Sequence, residues 1–252
     1  DMVIEALRPA DPMVSYSSVD IQIYDSAVNP HDGRLYILLD DDLLHLDARS
    51  QKPIVDIESG IMGRSLAIDS DAGALLIGTE DGSVLSRSLY DSSEMLNLRE
   101  STGIQNAGIY SITVDDYGTV WAAGNCSIIF KPMGEDVWNE YNYCQTSNIE
   151  TPSDMMIIAD SVYLATTNTG VHILDYTTSS SSGSVSVTVD SQTDWSTQNF
   201  LSSDQITDLE VVGNHLLIAT ADSGINRRDL TAQSWIATWS TSNWLASNQI
   251  HG

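Results

Sequence analysis

The sequence repeats itself with a period close to 44 residues, and this feature limits the possible folds more than any other. The clearest copies are Trp195–Ile206 and Trp239–Ile250, which are identical at eight of twelve positions. Weaker copies are separated by steps of 43, 45, 52 and 44 residues, counted along Ile61, Ile104, Ile149, Leu201 and Leu245. A period of this length is typical of architectures in which each repeat is one supersecondary unit.

Each repeat contains a turn followed by a short strand of aliphatic and β-branched residues. These turns occur at Gly33, Gly73, Gly118, Ser161 and Gly213. An apolar or alternating segment precedes each turn, and a group of Asp, Asn and Gly residues ends the strand, which is the pattern of consecutive hairpins. Two further short strands complete each unit, and no stretch has helical periodicity. We therefore predict an all-β chain of four-stranded antiparallel sheets.

Four antiparallel strands per repeat match the blade of a β-propeller, in which radial repetition protects the edges of small sheets. The sequence predicts five blades, at about residues 14–59, 60–102, 103–147, 148–199 and 200–244. Residues 1–13 are then an N-terminal tail or a ring-closing strand. Residues 245–252 are expected to start a sixth repeat, as part of a longer polypeptide.

The longest step between repeats coincides with the Ser-rich segment Thr177–Val187. Such low-complexity segments are typical of insertions into loops. We predict a loop or hairpin extension here, between the third and fourth strands of its blade.

Two recurring motifs resemble the two-component-regulator propeller repeat. They are the segment Trp-Ser-Thr-x-Asn-(Trp/Phe)-Leu-x-Ser-(Asp/Asn)-Gln-Ile and the strand after each turn, which keeps parts of a Trp-Ile-Gly-Thr pattern at Leu76–Thr79, Trp121–Gly124 and Leu217–Thr220. The likeness covers five units, from Val14 to about Trp244. It implies a periplasmic sensor or a surface propeller that senses or displays, usually without catalysis.

The chain is strongly acidic, with 10 Lys and Arg against 35 Asp and Glu and a formal charge of −25. Phosphate backbones and anionic membranes would be repelled, which argues against nucleic acid as a partner. No apolar run approaches the roughly 18 residues of a membrane-spanning helix, so we expect no membrane insertion. Abundant Ser, Thr, Asp and Asn with few lysines favour an extracellular, cell-surface or periplasmic location.

The turns between second and third strands carry many polar residues, and in a propeller they share a face with the connections between blades. The candidate ligand-face residues are Asp40, Asp41, Asp42, Glu80, Asp81, Asn125, Asn168 and Asp222. Carboxylate and carbonyl oxygens are the ligands of Ca²⁺, so calcium is the candidate cofactor, although the same residue types also form ordinary turns. The partner is left open among a small molecule, a glycan and a protein.

Two residue pairs recur at equivalent places in the repeats. His45 and His172 have the same offset from their turns, which predicts matching orientation on third strands. Phe200 and Trp244 occupy the same position in the two copies of the long motif, where the joint between blades begins. These aromatic residues either pack between blades or form a carbohydrate-stacking surface.

The two cysteines lie on either side of the turn Lys131–Asp136 in the third repeat. If the hairpin is symmetric about residue 135, Cys126 lies directly opposite Cys144, at a separation that a disulfide accepts. The sequence therefore predicts a Cys126–Cys144 disulfide and an oxidising compartment.

No catalytic motif of the His-Glu-x-x-His, Gly-x-Ser-x-Gly or phosphate-binding Gly type is present. A propeller enzyme that takes one residue from each blade would leave no such motif. The favoured function is a non-catalytic extracytoplasmic propeller that binds, senses or displays. Two alternatives stay open, namely a cation-dependent polysaccharide lyase or hydrolase and a structural spacer of a long surface protein.

Overall fold

The regular elements of the chain are arranged as five similar sheets. The computed structural model describes residues 22–39, 42–47, 58–90, 95–99, 108–144, 149–181 and 184–250. Within these ranges all regular elements are β-strands, and they form five four-stranded antiparallel sheets in which strand order follows chain order. The prediction of an all-β propeller with five four-stranded blades is therefore confirmed.

The strands are numbered along the chain, and the first strand of each blade is the inner one. Blade 1 contains β1 (Ile23–Val28), β2 (Arg34–Leu39), β3 (Asp42–Asp47) and β4 (Glu58–Ser59). Blade 2 contains β5 (Gly63–Asp69), β6 (Ala74–Thr79), β7 (Val84–Ser88) and β8 (Leu96–Arg99). Blade 3 contains β9 (Ser111–Val114), β10 (Val120–Gly124), β11 (Ser127–Lys131) and β12 (Asn139–Asn142). Blade 4 contains β13 (Pro152–Ile158), β14 (Ser161–Thr166), β15 (Val171–Ser181) and β16 (Ser184–Trp195). Blade 5 contains β17 (Ile206–Val212), β18 (His215–Thr220), β19 (Ile225–Asp229) and β20 (Ser234–Trp239).

Consecutive blades pack face to face, and their inner strands contact one another in chain order from β1 to β17. Successive residues of a strand point to opposite faces of a sheet, so each second strand serves two interfaces. In β14, Val162 and Leu164 pack into the core shared with blade 3, whereas Tyr163 and Ala165 pack into the core shared with blade 5. This alternation explains why the second strands are apolar on both faces.

Blade 4 has a long hairpin at the Ser-rich segment, as predicted. The ladder between β15 and β16 runs from the pair Val171 and Trp195 to the pair Ser181 and Ser184. Near its tip, the buried Val185 donates its backbone N–H to the carbonyl of Met133 in blade 3, at 3.1 Å. The hairpin therefore extends past its own blade and is fixed to the neighbouring one.

At one end of the repeat array the expectation falls outside the described residues, and at the other end the structure differs from it. The predicted tail or ring-closing strand over residues 1–13 lies outside the described residues. Residues 245–250 form no strand, so the predicted opening of a sixth blade is not observed. The described residues include no helix with the length and hydrophobicity needed to cross a membrane.

Cys126 and Cys144 form the predicted disulfide, with their Cα atoms 4.9 Å apart. The predicted hairpin register is nevertheless wrong by one residue, because Ser127 pairs with Asn142 and the next backbone bond joins Tyr143 to Cys126. The bond forms because both cysteines lie outside the strands and Cys126 has a left-handed backbone, with a φ of 62°. This turn replaces the strand alternation that would have separated the two side chains.

Candidate functional site

The residues predicted for the ligand face are spread over several blades. Asp40 and Asp41 lie outside the described residues, and Asp42 is the first residue of β3. The others lie in turns between second and third strands, namely Glu80, Asp81, Asn125, Asn168 and Asp222. Strand order places these turns on the same face as the connections between blades.

Several of these turn residues have partners within the protein. Asp81 accepts hydrogen bonds from the Thr79 hydroxyl at 2.6 Å and from the Ser83 backbone N–H at 3.0 Å. The bond from Thr79 is the main cause of the lowered pKa of Asp81. Asn168 donates its side-chain amide to the carbonyl of Ile149 at 3.1 Å. Such contacts stabilise turns, which is the ordinary role of Asp and Asn there.

The structure offers no ready-made cation site at these turns. In the part of the chain that it describes, no three His, Cys, Asp or Glu side chains lie close enough together to hold a metal ion. Calcium binding therefore stays a prediction.

The inner strands carry a polar set that the sequence analysis did not identify. In β1, β5, β13 and β17 the pairing with the second strand shifts by one residue near the start of the strand, which is a β-bulge. The residue after the bulge, and its counterpart on β9, form what we call the inner ring. Its members are Asp25, Ser65, Ser111, Asp154 and Asp208. The ring lies at the end of the inner strands that faces the turns described above.

Two carboxylates of the inner ring join consecutive blades. Asp25 of blade 1 accepts a hydrogen bond from the backbone N–H of Leu66 in blade 2, at 2.7 Å. Asp154 of blade 4 accepts the equivalent bond from Leu209 in blade 5, at 2.9 Å. The same position thus performs the same linking role at two interfaces.

The ring carboxylates of different blades interact electrostatically. Burial is the main cause of the raised pKa of Asp25, and the charge of Asp208 raises it further. Burial also raises the pKa of Asp154 to about 7, again with the charge of Asp208 as the next cause. The charge of Asp208 in blade 5 thus raises the pKa of carboxylates in both blade 1 and blade 4.

A cationic side chain and unpartnered hydroxyls accompany these carboxylates. Arg64, the bulge residue of β5, lies 4.0 Å from the ring centroid of Tyr24 and pairs with Glu80 at 2.6 Å. The hydroxyls of Ser153 and Thr207, the bulge residues of β13 and β17, are buried and have no hydrogen-bond partner among the described residues. This end of the inner strands therefore combines a guanidinium, an aromatic ring, carboxylates and hydroxyls.

The two equivalent histidines do not share an orientation, so that prediction is wrong. His45 pairs with Tyr36, whereas His172 pairs with Leu164, and these partners point to opposite faces of their blades. The difference arises because the turn before the third strand is longer in blade 4 than in blade 1. A change in turn length shifts the pairing register and so exchanges the faces.

His172 lies in a buried network between two carboxylates. Its Nε2 is 2.7 Å from Glu150, and its Nδ1 is 2.6 Å from Asp194. The Thr169 hydroxyl is 3.3 Å from Nε2 but donates to Glu150 at 2.9 Å. Because Glu150 engages both the imidazole and the hydroxyl, the arrangement ties the connection before blade 4 to its outer strand and does not present a nucleophile.

The aromatic residues of the two long motifs have different surroundings. Phe200 stacks on Trp235 of the next blade, with ring centroids 5.7 Å apart, and is 50% exposed. Trp244, at the equivalent place after blade 5, is 79% exposed. Phe200 therefore packs between blades, whereas Trp244 does not.

Comparisons with known proteins support the fold. No protein-family model matches the sequence, and no curated protein matches it. Among solved structures, the WD40 β-propeller domain of Doa1 has a TM-score of 0.62 and 13% identity, over 87% of this chain and 69% of that one. The extracellular domain of a putative hybrid two-component system from B. thetaiotaomicron has a TM-score of 0.62 and 17% identity, over 91% of this chain. A structure of the nidogen/laminin complex has a TM-score of 0.56 and 15% identity, over 86% of this chain and 79% of that one.

These similarities concern shape, because all of the identities are low. The chain spans only 29% of the length of the two-component extracellular domain that it resembles. The fold shared with these structures is the β-propeller.

Proposed function

We propose that this chain is a non-catalytic propeller that binds or senses a ligand outside the cytoplasm. The observation that carries the proposal is the inner ring, where Asp154 and Asp208 lie next to the unpartnered hydroxyls of Ser153 and Thr207 at the start of the inner strands β13 and β17. Buried polar groups without partners are costly, and a bound ligand would supply the missing hydrogen bonds.

Three observations support a location outside the cytoplasm. The disulfide between Cys126 and Cys144 is of a kind that persists in oxidising compartments. The formal charge of −25 suits a soluble, exposed surface. One similar structure is the extracellular domain of a two-component system, which also supports a sensory role of the regulator-repeat type.

The chemistry of the ring favours a ligand that donates hydrogen bonds. Carboxylates only accept when ionised, so a sugar, an amine or a hydrated cation is complementary, whereas an anion is opposed by the net charge. The turn residues predicted from the sequence surround the same end of the propeller. We propose Asp42, Glu80, Asp81, Asn125, Asn168 and Asp222 as outer contacts, and Ca²⁺ as one candidate ligand.

Thermal unfolding with defined probes tests this proposal. We expect calcium chloride or cellobiose to raise the unfolding midpoint of the wild type, because a ligand of the folded state stabilises it. Asp208→Asn should remove the response, whereas Asp136→Asn, which removes an exposed charge from a distant turn, should retain it. A chelator and a salt series separate specific calcium binding from screening of the acidic surface.

Two results would contradict a ligand site at the ring. One is the absence of any response to either probe, and the other is an equal response in wild type and Asp208→Asn.

A specific observation favours a second candidate, a structural role within a longer polypeptide. The motif after blade 5 keeps the local hydrogen bonds of its copy after blade 4, but its Trp244 is 79% exposed, whereas the equivalent Phe200 stacks on Trp235. We propose that residues 245–252 open a sixth repeat. Appending a copy of residues 207–250 after Ile250 should protect Trp244 from acrylamide quenching, measured against a matched Trp244→Phe chain. An unprotected Trp244 would contradict the sixth repeat without affecting the ring.

A further inference from the structure

The outermost strand of blade 4 differs from the outermost strands of the other blades. Within the described parts of the chain, β16 has 12 residues, whereas β4, β8, β12 and β20 have two to six. The outer strand of a blade is a sheet edge, and proteins usually keep such edges short or interrupt them with charges or proline. From Ser184 to Val189, β16 contains neither a charged residue nor proline nor glycine.

The edge is also held in a fixed position. Val185 is buried against blade 3, and Val187 and Val189 pack against the core between blades 3 and 4. The exposed residues between them are Ser186 and Thr188. A visiting strand would therefore meet an edge that is already ordered, which reduces the entropic cost of binding.

The direction of the free backbone groups follows from one hydrogen bond. The N–H of Val185 points away from β15, because it is donated to Met133 of blade 3. Backbone groups alternate in direction along a strand, so those of Val187 and Val189 point the same way. Among the described residues β16 pairs only with β15. The Met133 carbonyl thus binds the first outward N–H of the β16 edge, and a further strand can bind the N–H groups of Val187 and Val189.

A groove lies beside this edge. Its volume is about 300 Å³, and it is lined by Pro132, Glu135, Val137, Asn139 and Val185–Val187. Val137 is 66% exposed, which makes part of the wall apolar, and Glu135 makes part of it acidic. The groove can accept alternate side chains of an extended peptide, one apolar and one cationic.

We propose that β16 binds an extended basic peptide segment of a partner protein by strand addition. Its backbone pairs with Val187 and Val189, and its side chains enter the groove beside Glu135. Strand addition derives affinity from main-chain bonds and specificity from pockets for alternate side chains. The charge of −25 favours a partner rich in Lys and Arg and disfavours a second copy of this chain. This surface is separate from the inner ring, so it adds to the proposed function.

The test uses a labelled peptide, Lys-Val-Thr-Val-Thr-Val-Lys, and measures fluorescence anisotropy on the full chain. Val187→Pro removes one outward N–H, and proline is tolerated on edge strands. Val187→Thr keeps the N–H and the preference for a strand, so it is the matched control. We expect Val187→Pro to weaken binding about tenfold, as expected for one lost hydrogen bond, and Val187→Thr to bind within about threefold of wild type.

Further peptides keep the test informative if the proline variant does not fold. A peptide N-methylated at its edge-facing residues should bind about tenfold more weakly to wild type, and a peptide with Glu in place of Lys should bind more weakly still. Equal binding by the methylated peptide, or by Val187→Pro with a native circular dichroism spectrum, would overturn the proposal. So would a lack of saturable binding, or sedimentation showing that the chain pairs with itself through β16.

Discussion

Residues 195–206 and 239–250, here called the first and second joints, have nearly the same sequence and the same local structure. In the first joint, Asn199 accepts from Ser196 N–H at 2.8 Å and donates to the carbonyl of Asp194 at 2.8 Å. In the second, Asn243 accepts from Ser240 N–H at 2.7 Å and donates to the carbonyl of Thr238 at 2.8 Å. Short-range hydrogen bonds therefore set the joint conformation.

The burial of the two joints differs, although their conformations agree. Leu201 and Ile206 of the first joint are 6% and 1% exposed, because blade 5 covers them. Their counterparts Leu245 and Ile250 are half-buried. Local sequence thus determines the shape of a joint, and the following blade determines how much packing energy that shape yields.

The largest expected effect concerns the glycine that lies against the first residue of each joint. This glycine directly precedes the third strand of its blade. Gly170 and Gly224 have positive φ, and a Cβ on either would overlap the carbonyl oxygen of Trp195 or Trp239, respectively. We expect Gly170→Ala to lower the free energy of unfolding by about 4 kcal/mol, and Gly224→Ala by about 2 kcal/mol, because the uncovered joint can shift. Urea denaturation measures both. Equal losses would show that cover by a blade does not restrain the joint.

The buried leucines offer a sharper version of the same comparison. Leu201→Ala should cost about 3 kcal/mol, because it leaves a cavity in the core between blades 4 and 5, whereas Leu245→Ala should cost about 1 kcal/mol. Chemical denaturation of both variants gives the difference directly. If Leu245→Ala costs as much as Leu201→Ala, the second joint is covered in solution.

The carboxylate of Asp154, which joins blades 4 and 5, should make the stability of the protein depend on pH. The pKa of Asp154 is raised to about 7 from an ordinary value of 3.8, so the folded state holds the proton more tightly than the unfolded state. Its contribution is therefore present below about pH 4 and is lost as pH rises through about 7. We expect the wild type to lose about 2 kcal/mol over this window relative to Asp154→Asn.

Asp154→Asn is a suitable variant because its amide oxygen can still accept from Leu209. Asp208→Asn should shrink the same pH dependence, since Asp208 is the second cause of the raised pKa. A wild-type curve parallel to both variants between about pH 4 and about pH 8 would contradict the assignment.

The smallest expected effect is shared equally by the two joints. Asn199→Ala and Asn243→Ala each remove the same pair of local hydrogen bonds, and we expect each to cost about 1 kcal/mol. Thermal unfolding of both variants tests this equality. A cost confined to Asn199 would mean that the second joint is not ordered as its hydrogen bonds indicate.

The fold was largely predictable because it depends on signals that survive in one sequence. The repeat period, the turn residues and the Ser-rich insertion each mark a boundary that needs no long-range information. The hairpin register at Cys126 and the orientation of His45 were not predictable in the same way. Each depends on one extra or left-handed residue in a turn, and such a residue changes the face of everything that follows it.

The inner ring was not predicted from the sequence because β-bulges interrupt the strand alternation on which the prediction relied. In β13 and β17 the bulge residue shifts the alternation, so the polar positions no longer follow a regular pattern. A signal did exist, since Asp25, Asp154 and Asp208 each lie two residues after the start of an inner strand. That signal has meaning only when the strand is known to be the innermost one, which requires the three-dimensional arrangement of the blades.

The disulfide of blade 3 has a consequence for proteolysis of the protein. It links the two sides of an exposed turn that contains Met133 and Val137. A protease that cuts this turn leaves the two fragments covalently joined and still paired between β11 and β12. The nicked molecule keeps its blade, and only reduction before electrophoresis would reveal the cut. In the extracytoplasmic location proposed above, a cut at this accessible site would therefore leave the blade assembled.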